Sequence, residues 1–345
     1  MRIPPAPASG SGGSGGSSAS PSMRALLRWT RRHERTLLPC CLTVALAAYY
    51  VTPSPALSLL WLALFATLTW RSPRAALALL PLTFPFWFVP KPVAGHLVFP
   101  LSEVALAVCI VVIAGRAAWR LLHARAMLRG GRALRLARAL LARIGLATAL
   151  GGALLLVGMT LGVLIARRPH DALRAWRWEI AEPLIYLLLA AWYLRGPRWS
   201  RLTLWALVGS GLIIAALATA QTVGLHVTFT PVGAGERLIA YRPSLTGPYR
   251  ATAIIYGSGN SAGAWLERAA PIALAIALLG CGLARRERLL AGAATLALLP
   301  ALFWTDSRGA WLGALAGLGL VALAWLAPIG WRAWTGTEAR DMLIY

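Results

Sequence analysis

GLATALGGALLLVGMTLGVLIA, residues 145–166, runs for 22 residues without one ionisable side chain. At about 1.5 Å of rise per helical residue, such a stretch spans the roughly 30 Å hydrocarbon core of a bilayer. A helix of this length on the surface of a water-soluble domain needs a polar face, and this one has none. Lipid, not water, is therefore the expected solvent of this part of the chain.

The same ruler, carried outward, finds apolar segments near 37–51, 56–70, 75–90, 101–119, 179–195, 202–224, 261–283, 288–305 and 309–327. Together they predict an all-α fold, a polytopic transmembrane helical bundle of about ten spanning helices. The first three segments are short, and Pro53, Pro55 and Pro73 mark their breaks. A hydrophobic share of 58% and a mean hydropathy of +0.65 exceed what a soluble domain of 345 residues needs to fill one core. Residues 1–22 are almost entirely Ser, Gly, Pro and Ala and read as a disordered tail. The Arg cluster Arg24, Arg28, Arg31, Arg32 and Arg35 then precedes the run 37–51 as in a signal peptide. A second apolar run follows at once, so an uncleaved first helix is expected, and residues 23–330 form the membrane domain.

The chain carries 34 basic residues against 11 acidic ones, a formal charge of +23, and the basic set is 33 Arg with the single Lys91. These Arg fall between apolar runs and not on amphipathic helices or among stacking aromatics. That pattern excludes a nucleic-acid interface and fits anionic membrane lipids. Cys40, Cys41, Cys109 and Cys281 lie inside apolar runs, without CxxC spacing, and read as small buried hydrophobes. His33, His96, His123, His170 and His226 are scattered, so no protein-built metal site and no cofactor are expected.

Charge also orients the chain. One set of alternate loops holds the N-terminal Arg cluster, Arg71 and Arg74, eight Arg between Arg116 and Arg143, then Arg195, Arg198 and Arg201, then Arg285, Arg286 and Arg288. By the positive-inside rule this set is cytoplasmic, and so is the N-terminus. The opposite set, 91–100, 167–178, 225–260 and 305–308, then faces outward. Its own Arg167, Arg168, Arg174, Arg177, Arg237, Arg242, Arg250 and Arg308 break the rule, and an anionic ligand outside explains them.

Two stretches carry candidate chemistry. In TDSRGAWLGALAG, residues 305–317, Asp306, Ser307 and Arg308 sit between two apolar helices, and Gly309, Gly313 and Gly317 form a ladder suited to close helix packing. Without a ligand, Arg308 would simply snorkel at a helix end beside Asp306. In YRPSLTGPYRATAIIYGSGNSAGAWLE, residues 241–267, Arg242 and Arg250 precede a Gly-Ser-Gly-Asn approach to the next helix. Backbone N–H groups there favour anions, and guanidinium forks match phosphate oxygens. The alternative is an ordinary outer loop with a Gly turn. A nucleotide P-loop is excluded because no GK[ST] follows.

RATAIIYGSGNSAGAWL at 250–266 and DSRGAWLG at 306–313 resemble the O-antigen ligase and polymerase superfamily of bacterial membrane glycosyltransferases. FPLSEVALAV at 99–108 and WEIAEPLIYLLL at 178–189 also look familial, so the resemblance runs from about residue 80 onward. It implies a multi-pass protein of the bacterial inner membrane. It further implies metal-independent transfer of glycan from undecaprenyl diphosphate to an acceptor hydroxyl, on lipid A core or on another carrier-linked glycan. Carried over, Arg250 and Arg308 match the two functional arginines that hold the diphosphate, and Asn260 matches the Asn of the turn, with Ser307 beside Arg308 as a further substrate contact. Two extra residues separate Arg250 from that turn, which leaves Arg242 as a rival for the first position. The family's basic His lies on a large loop further along. TEARDMLIY, 337–345, resembles the start of that loop, while the spanning helix that usually precedes it is missing between Pro328 and Glu338. Residues 331–345 therefore read as the start of a truncated or divergent loop, and His170 and His226 are weak stand-ins for the base.

Two other classes stay open. A transporter or flippase for an anionic lipid-linked substrate would show inverted repeats and midplane charges. No repeat is visible, and the charges gather at the outer boundary. An assembly protein that binds the carrier without turnover is the third.

Overall fold

A computed structural model describes residues 37–94, 97–123, 142, 145–223, 251, 253, 259–280 and 282–335. The helices are α1 (Leu37–Val51), α2 (Pro55–Arg71), α3 (Pro73–Leu79), α4 (Leu101–His123), α5 (Leu146–Leu164), α6 (Pro169–Trp176), α7 (Glu182–Tyr193), α8 (Pro197–Thr222), α9 (Gly259–Leu279), α10 (Arg285–Trp304) and α11 (Arg308–Thr335). α4, α5, α8, α9, α10 and α11 are long and apolar enough to cross a membrane, and α1 and α2 are shorter apolar helices. The described residues are predominantly helical, with six helices that mark the chain as a multi-pass membrane protein.

α5 makes the strongest physical case for lipid. None of its residues is buried by the protein, and Leu154 and Leu164 are 74% and 75% exposed. An apolar helix with no buried face would aggregate in water, whereas in a bilayer its backbone is satisfied internally and its side chains are solvated by acyl chains. Pro55, Pro73, Pro169 and Pro197 stand in the first turns of their helices, where a missing N–H costs nothing.

The two irregular segments depart from the expected helices. The segment expected at 75–90 is α-helical only to Leu79 and continues as a 3₁₀ helix over Leu80–Phe88, because Pro81 and Pro85 withhold the N–H groups an α-helix needs. The segment expected at 179–195 opens on a π-helical turn, Arg177–Ala181, which joins α6 to α7 without a break. Residues 91–100, expected as a plain loop, contain the antiparallel pair β1 (Lys91–Ala94) and β2 (Leu97–Phe99). α11 runs through Pro328 to Thr335, into the stretch expected as loop. The bounds of the long helices otherwise lie within a few residues of the sequence reading. Cys40 and Cys41 are exposed on α1, so of the thiols described only Cys109 is the buried hydrophobe expected. They belong to the outward face of an apolar helix, where lipid replaces core.

Two clusters form the core. Leu42, Phe65, Leu77 and Ala105 centre the first, from α1 to α4. The second joins α8 to α11 and is dominated by alanine. Small side chains allow very close approach there: a Cβ added to Gly211 of α8 would lie 2.5 Å from the Ala269 Cβ of α9.

Contacts between connections sort into two ends. At one, Arg116 donates to the Trp70 carbonyl, Arg201 pairs with Glu287, and Arg288 Nε donates to the Ala277 carbonyl at 2.8 Å. At the other, Tyr50 donates to the Val89 carbonyl at 2.8 Å and Arg177 pairs with Glu103 at 3.1 Å.

Lys91, the lone lysine, is buried at the second end. Its ammonium donates to the Tyr49 carbonyl, to the Thr52 carbonyl at 2.8 Å and to Ser58 Oγ at 2.7 Å, and lies 4.4 Å from the centre of the Tyr49 ring. It satisfies carbonyls left open where Pro53 and Pro55 interrupt the helices, at the negative end of the α1 dipole. Burial pushes this ammonium below the ordinary lysine value. Lys91→Met keeps the apolar stem and removes all three bonds. It is expected to destabilise the protein by about 1–3 kcal/mol, read as a lower thermal midpoint of the detergent-solubilised chain.

Candidate functional site

The connection from α10 to α11 is only three residues long, Thr305–Ser307. Thr305 Oγ1 donates to the Leu302 carbonyl at 2.7 Å and the Asp306 N–H donates to the Phe303 carbonyl at 3.1 Å, which closes the turn on the end of α10. Asp306 takes a left-handed backbone, φ 47°, a conformation Asp tolerates better than most residues. Ser307 is buried and its Oγ accepts the Ala310 N–H at 3.4 Å, so this hydroxyl caps α11. Arg308 is exposed at the first position of α11. Trp311 steadies the turn, stacking on Phe303 at 5.4 Å and donating to the Leu302 carbonyl at 3.2 Å.

The second motif meets this turn. The Ala251 N–H donates to the Trp304 carbonyl at 2.8 Å, so the residue directly after Arg250 is tied to the end of α10. A Cβ added to Gly263 of α9 would lie 2.9 Å from the Cβ atoms of both Ser307 and Ala310. Asn260, exposed in the first turn of α9, stands one turn before Gly263 on the same helix face. Further along this face Glu267 and Pro271 cover Gly313 and Gly317, where an added Cβ would come within 2.5 and 2.6 Å of them. Gly309, expected as the first rung of that ladder, has open space around it. Arg250, Arg242 and His226 lie outside the described residues.

On a neighbouring face of α9, about a quarter turn round the helix from this seam, a cavity of about 950 Å³ opens. Ser261, Ala264, Trp265 and Arg268 line it from α9, at the one- and two-turn spacing that defines a single stripe. Facing them are Phe84 and Trp87 of the 3₁₀ helix, Ser102 of α4, and Asp171, Arg174, Trp178, Glu179, Glu182 and Tyr186 of the α6–α7 element. FPLSEV, WEIAEP and the start of α9 thus meet around one space.

The walls are aromatic and tightly ordered. Trp87 meets Trp178 edge to face at 5.7 Å, and Phe84 meets Trp265 at 5.6 Å and Tyr186 at 5.9 Å. The Trp265 N–H donates to Ser210 Oγ at 2.9 Å, which fixes that ring from behind. The Arg174 guanidinium lies over the Trp178 ring at 4.0 Å. Arg177 bridges two helices, 3.1 Å from the Glu103 carboxylate and 3.7 Å from that of Glu182. Ser102 Oγ and Trp178 Nε1 are buried polar atoms with no hydrogen-bond partner among the described residues.

Arg174 and Arg177 were marked by the charge rule, but the carboxylates and the two unpaired groups of the cavity were not. Only the familial look of FPLSEV and WEIAEP pointed at them. His170 is exposed on α6 and is not among the residues of the cavity wall. Among the described residues no group of three or more His, Cys, Asp or Glu is arranged to hold a metal ion. Comparison of the chain with protein-family models, curated proteins and solved structures finds no match.

The seam between α9 and the 305–310 turn predicts a contrast between two glycines. Gly263→Leu forces the turn off α9 and is expected to cost about 1–3 kcal/mol, whereas Gly309→Ala should leave the thermal midpoint unchanged or raise it. Equal effects of the two substitutions in a melting assay would count against this packing.

Proposed function

We propose that this protein is a glycosyltransferase of the bacterial inner membrane that moves a glycan from an undecaprenyl diphosphate carrier to an acceptor hydroxyl, in the manner of O-antigen ligases and polymerases. The observation that carries the reading is the join between the two stretches of the resemblance. Residues 250–266 and 306–313 are far apart in sequence, yet the Ala251–Trp304 hydrogen bond and the Gly263 seam bring them to one place. Arg308 stands exposed there, Asn260 rises on the same face of α9, and Arg250 directly precedes the anchored Ala251.

In this reading the acceptor oxygen attacks the anomeric carbon, the bond from that carbon to the diphosphate oxygen breaks, and the hydroxyl proton passes to a base. Negative charge builds on the departing diphosphate. Arg250 and Arg308, permanently charged and at a membrane boundary where water is scarce, stabilise that charge without a metal. Arg242 is the alternative to Arg250.

The finer topology belongs to the same proposal. Ten passes result if α3 with its 3₁₀ continuation counts as one and the π-joined α6–α7 element as another. The N-terminus is then cytoplasmic, and the end that holds Lys91, the 305–307 turn and the cavity is periplasmic. A cysteine placed at Ala172 is expected to react with a membrane-impermeant maleimide in intact cells, and one at Ala284 only after lysis. The reverse pattern would invert the orientation.

Arg308→Ala and Arg250→Ala are each expected to reduce glycan transfer at least about 100-fold while the protein still reaches the membrane. Glycan ladders of normal intensity in both variants would refute the assignment. Carrier flux into reconstituted vesicles, without change of glycan length, would favour a flippase instead.

A further inference from the structure

We infer that the cavity on the third face of α9 is a saccharide-binding subsite, separate from the diphosphate-binding position at Arg308. This inference deepens the transferase reading above and, as the acceptor side of the reaction, rests on it. The binding claim itself rests on four features of the cavity.

The first is the pair of unpaired polar groups. Ser102 is 4% exposed, lines the cavity, and among the described residues its hydroxyl has no partner; the Trp178 N–H on the same wall has none there either. Leaving such a group unsatisfied costs about 1–3 kcal/mol, so its retention calls for a ligand that completes it. The donor Trp178 N–H needs an acceptor, and the Ser102 hydroxyl serves as either. A sugar hydroxyl is both donor and acceptor and answers each.

The second is the wall chemistry. Edge-to-face rings at Trp87, Trp178, Phe84 and Trp265 present rigid apolar faces of the kind that pack on the C–H faces of pyranose rings. Carboxylates at Glu179 and Glu182 supply acceptors for ring hydroxyls. A lipid chain would fit the rings and leave all of these polar groups unmatched.

The third is charge. Asp171, Glu179 and Glu182 share the lining with Arg174 and Arg268; the Arg174 guanidinium is already laid over Trp178, and Arg177 beside the lining is paired with Glu182 and Glu103. A diphosphate would bring further negative charge against three carboxylates, so the carrier headgroup is disfavoured here and a neutral glycan is not.

The fourth is position. Ser261, Ala264, Trp265 and Arg268 face the cavity, while Gly263 and Glu267 face the 305–313 segment. One helix therefore divides the two sites and holds them at the same end of the bundle. Such a divider keeps an acceptor hydroxyl and a carrier diphosphate apart until both are bound, with the reacting atoms meeting at the α9 N-terminus. At about 950 Å³ the space is at the upper end of the range for small-molecule sites, enough for an oligosaccharide of a few rings.

The test uses the full chain in phospholipid nanodiscs, with maltotriose and chitotriose as neutral saccharides and undecaprenyl diphosphate as the anionic probe, followed by tryptophan fluorescence and calorimetry. At least one trisaccharide is expected to bind saturably. Ser102→Ala and Trp178→Phe should each weaken it on the order of tenfold, and Ser102→Ala should do so without lowering the thermal midpoint, because its hydroxyl has no hydrogen-bond partner among the described residues. Carrier binding should be weakened by Arg308→Ala and not by Ser102→Ala. Absence of trisaccharide binding, unchanged affinity in both cavity variants, or loss of carrier binding in Ser102→Ala overturns the inference. If Arg308→Ala binds carrier normally while the trisaccharide results hold, the transferase reading fails and the saccharide site stands.

Discussion

Close approach to α9 is the constraint on which the rest of the bundle depends. Between helices in lipid there is no hydrophobic effect to gather side chains, so association relies on van der Waals contact over surfaces that fit. α9 obtains such surfaces on two sides. Gly211 lets α8 reach Ala269, while Gly263, Gly313 and Gly317 let the α10–α11 hairpin reach the opposite flank. At none of these positions is there room for a β-carbon without movement. The third side of α9 is not filled, and the cavity lies there.

The same constraint accounts for where polar atoms are tolerated. Along the described spans, hydroxyls such as Thr69 and Thr295 donate back to the carbonyl four residues earlier, which hides them from lipid. At the end that carries Lys91 the pattern changes. A buried ammonium satisfies carbonyls left open by prolines, a guanidinium joins two glutamates from different helices, and two polar atoms find no partner among the described residues. Polar networks of that kind are expensive beside a membrane unless they do something, and the unpaired atoms all but one belong to this cavity.

The irregular backbone falls at the same end. The 3₁₀ segment that carries Phe84 and Trp87 and the π turn that carries Trp178 and Glu179 both border the cavity. A π turn rotates the residues after it relative to a regular helix, and so turns Glu182 and Tyr186 toward the same space as Trp178. Non-helical backbone at this depth is acceptable because it is backed by protein and opens on a cavity rather than on lipid.

The apolar helical spans, and the bounds of the long helices other than the end of α11 to within a few residues, were legible in the sequence, because hydropathy is a property of single residues that accumulates along the chain. The 305–308 turn was legible too, as charged residues between two apolar runs. The tertiary structure alone decided which faces of those helices meet. It separated Gly309, where an added β-carbon would meet open space, from Gly313 and Gly317, where it would collide with α9, and it gave Ser307 to the α11 cap. It also brought Ser102 and Trp178, 76 positions apart, to one wall of a cavity. No periodicity encodes that pairing, since a helix's rotation about its own axis is fixed by the neighbours it packs against.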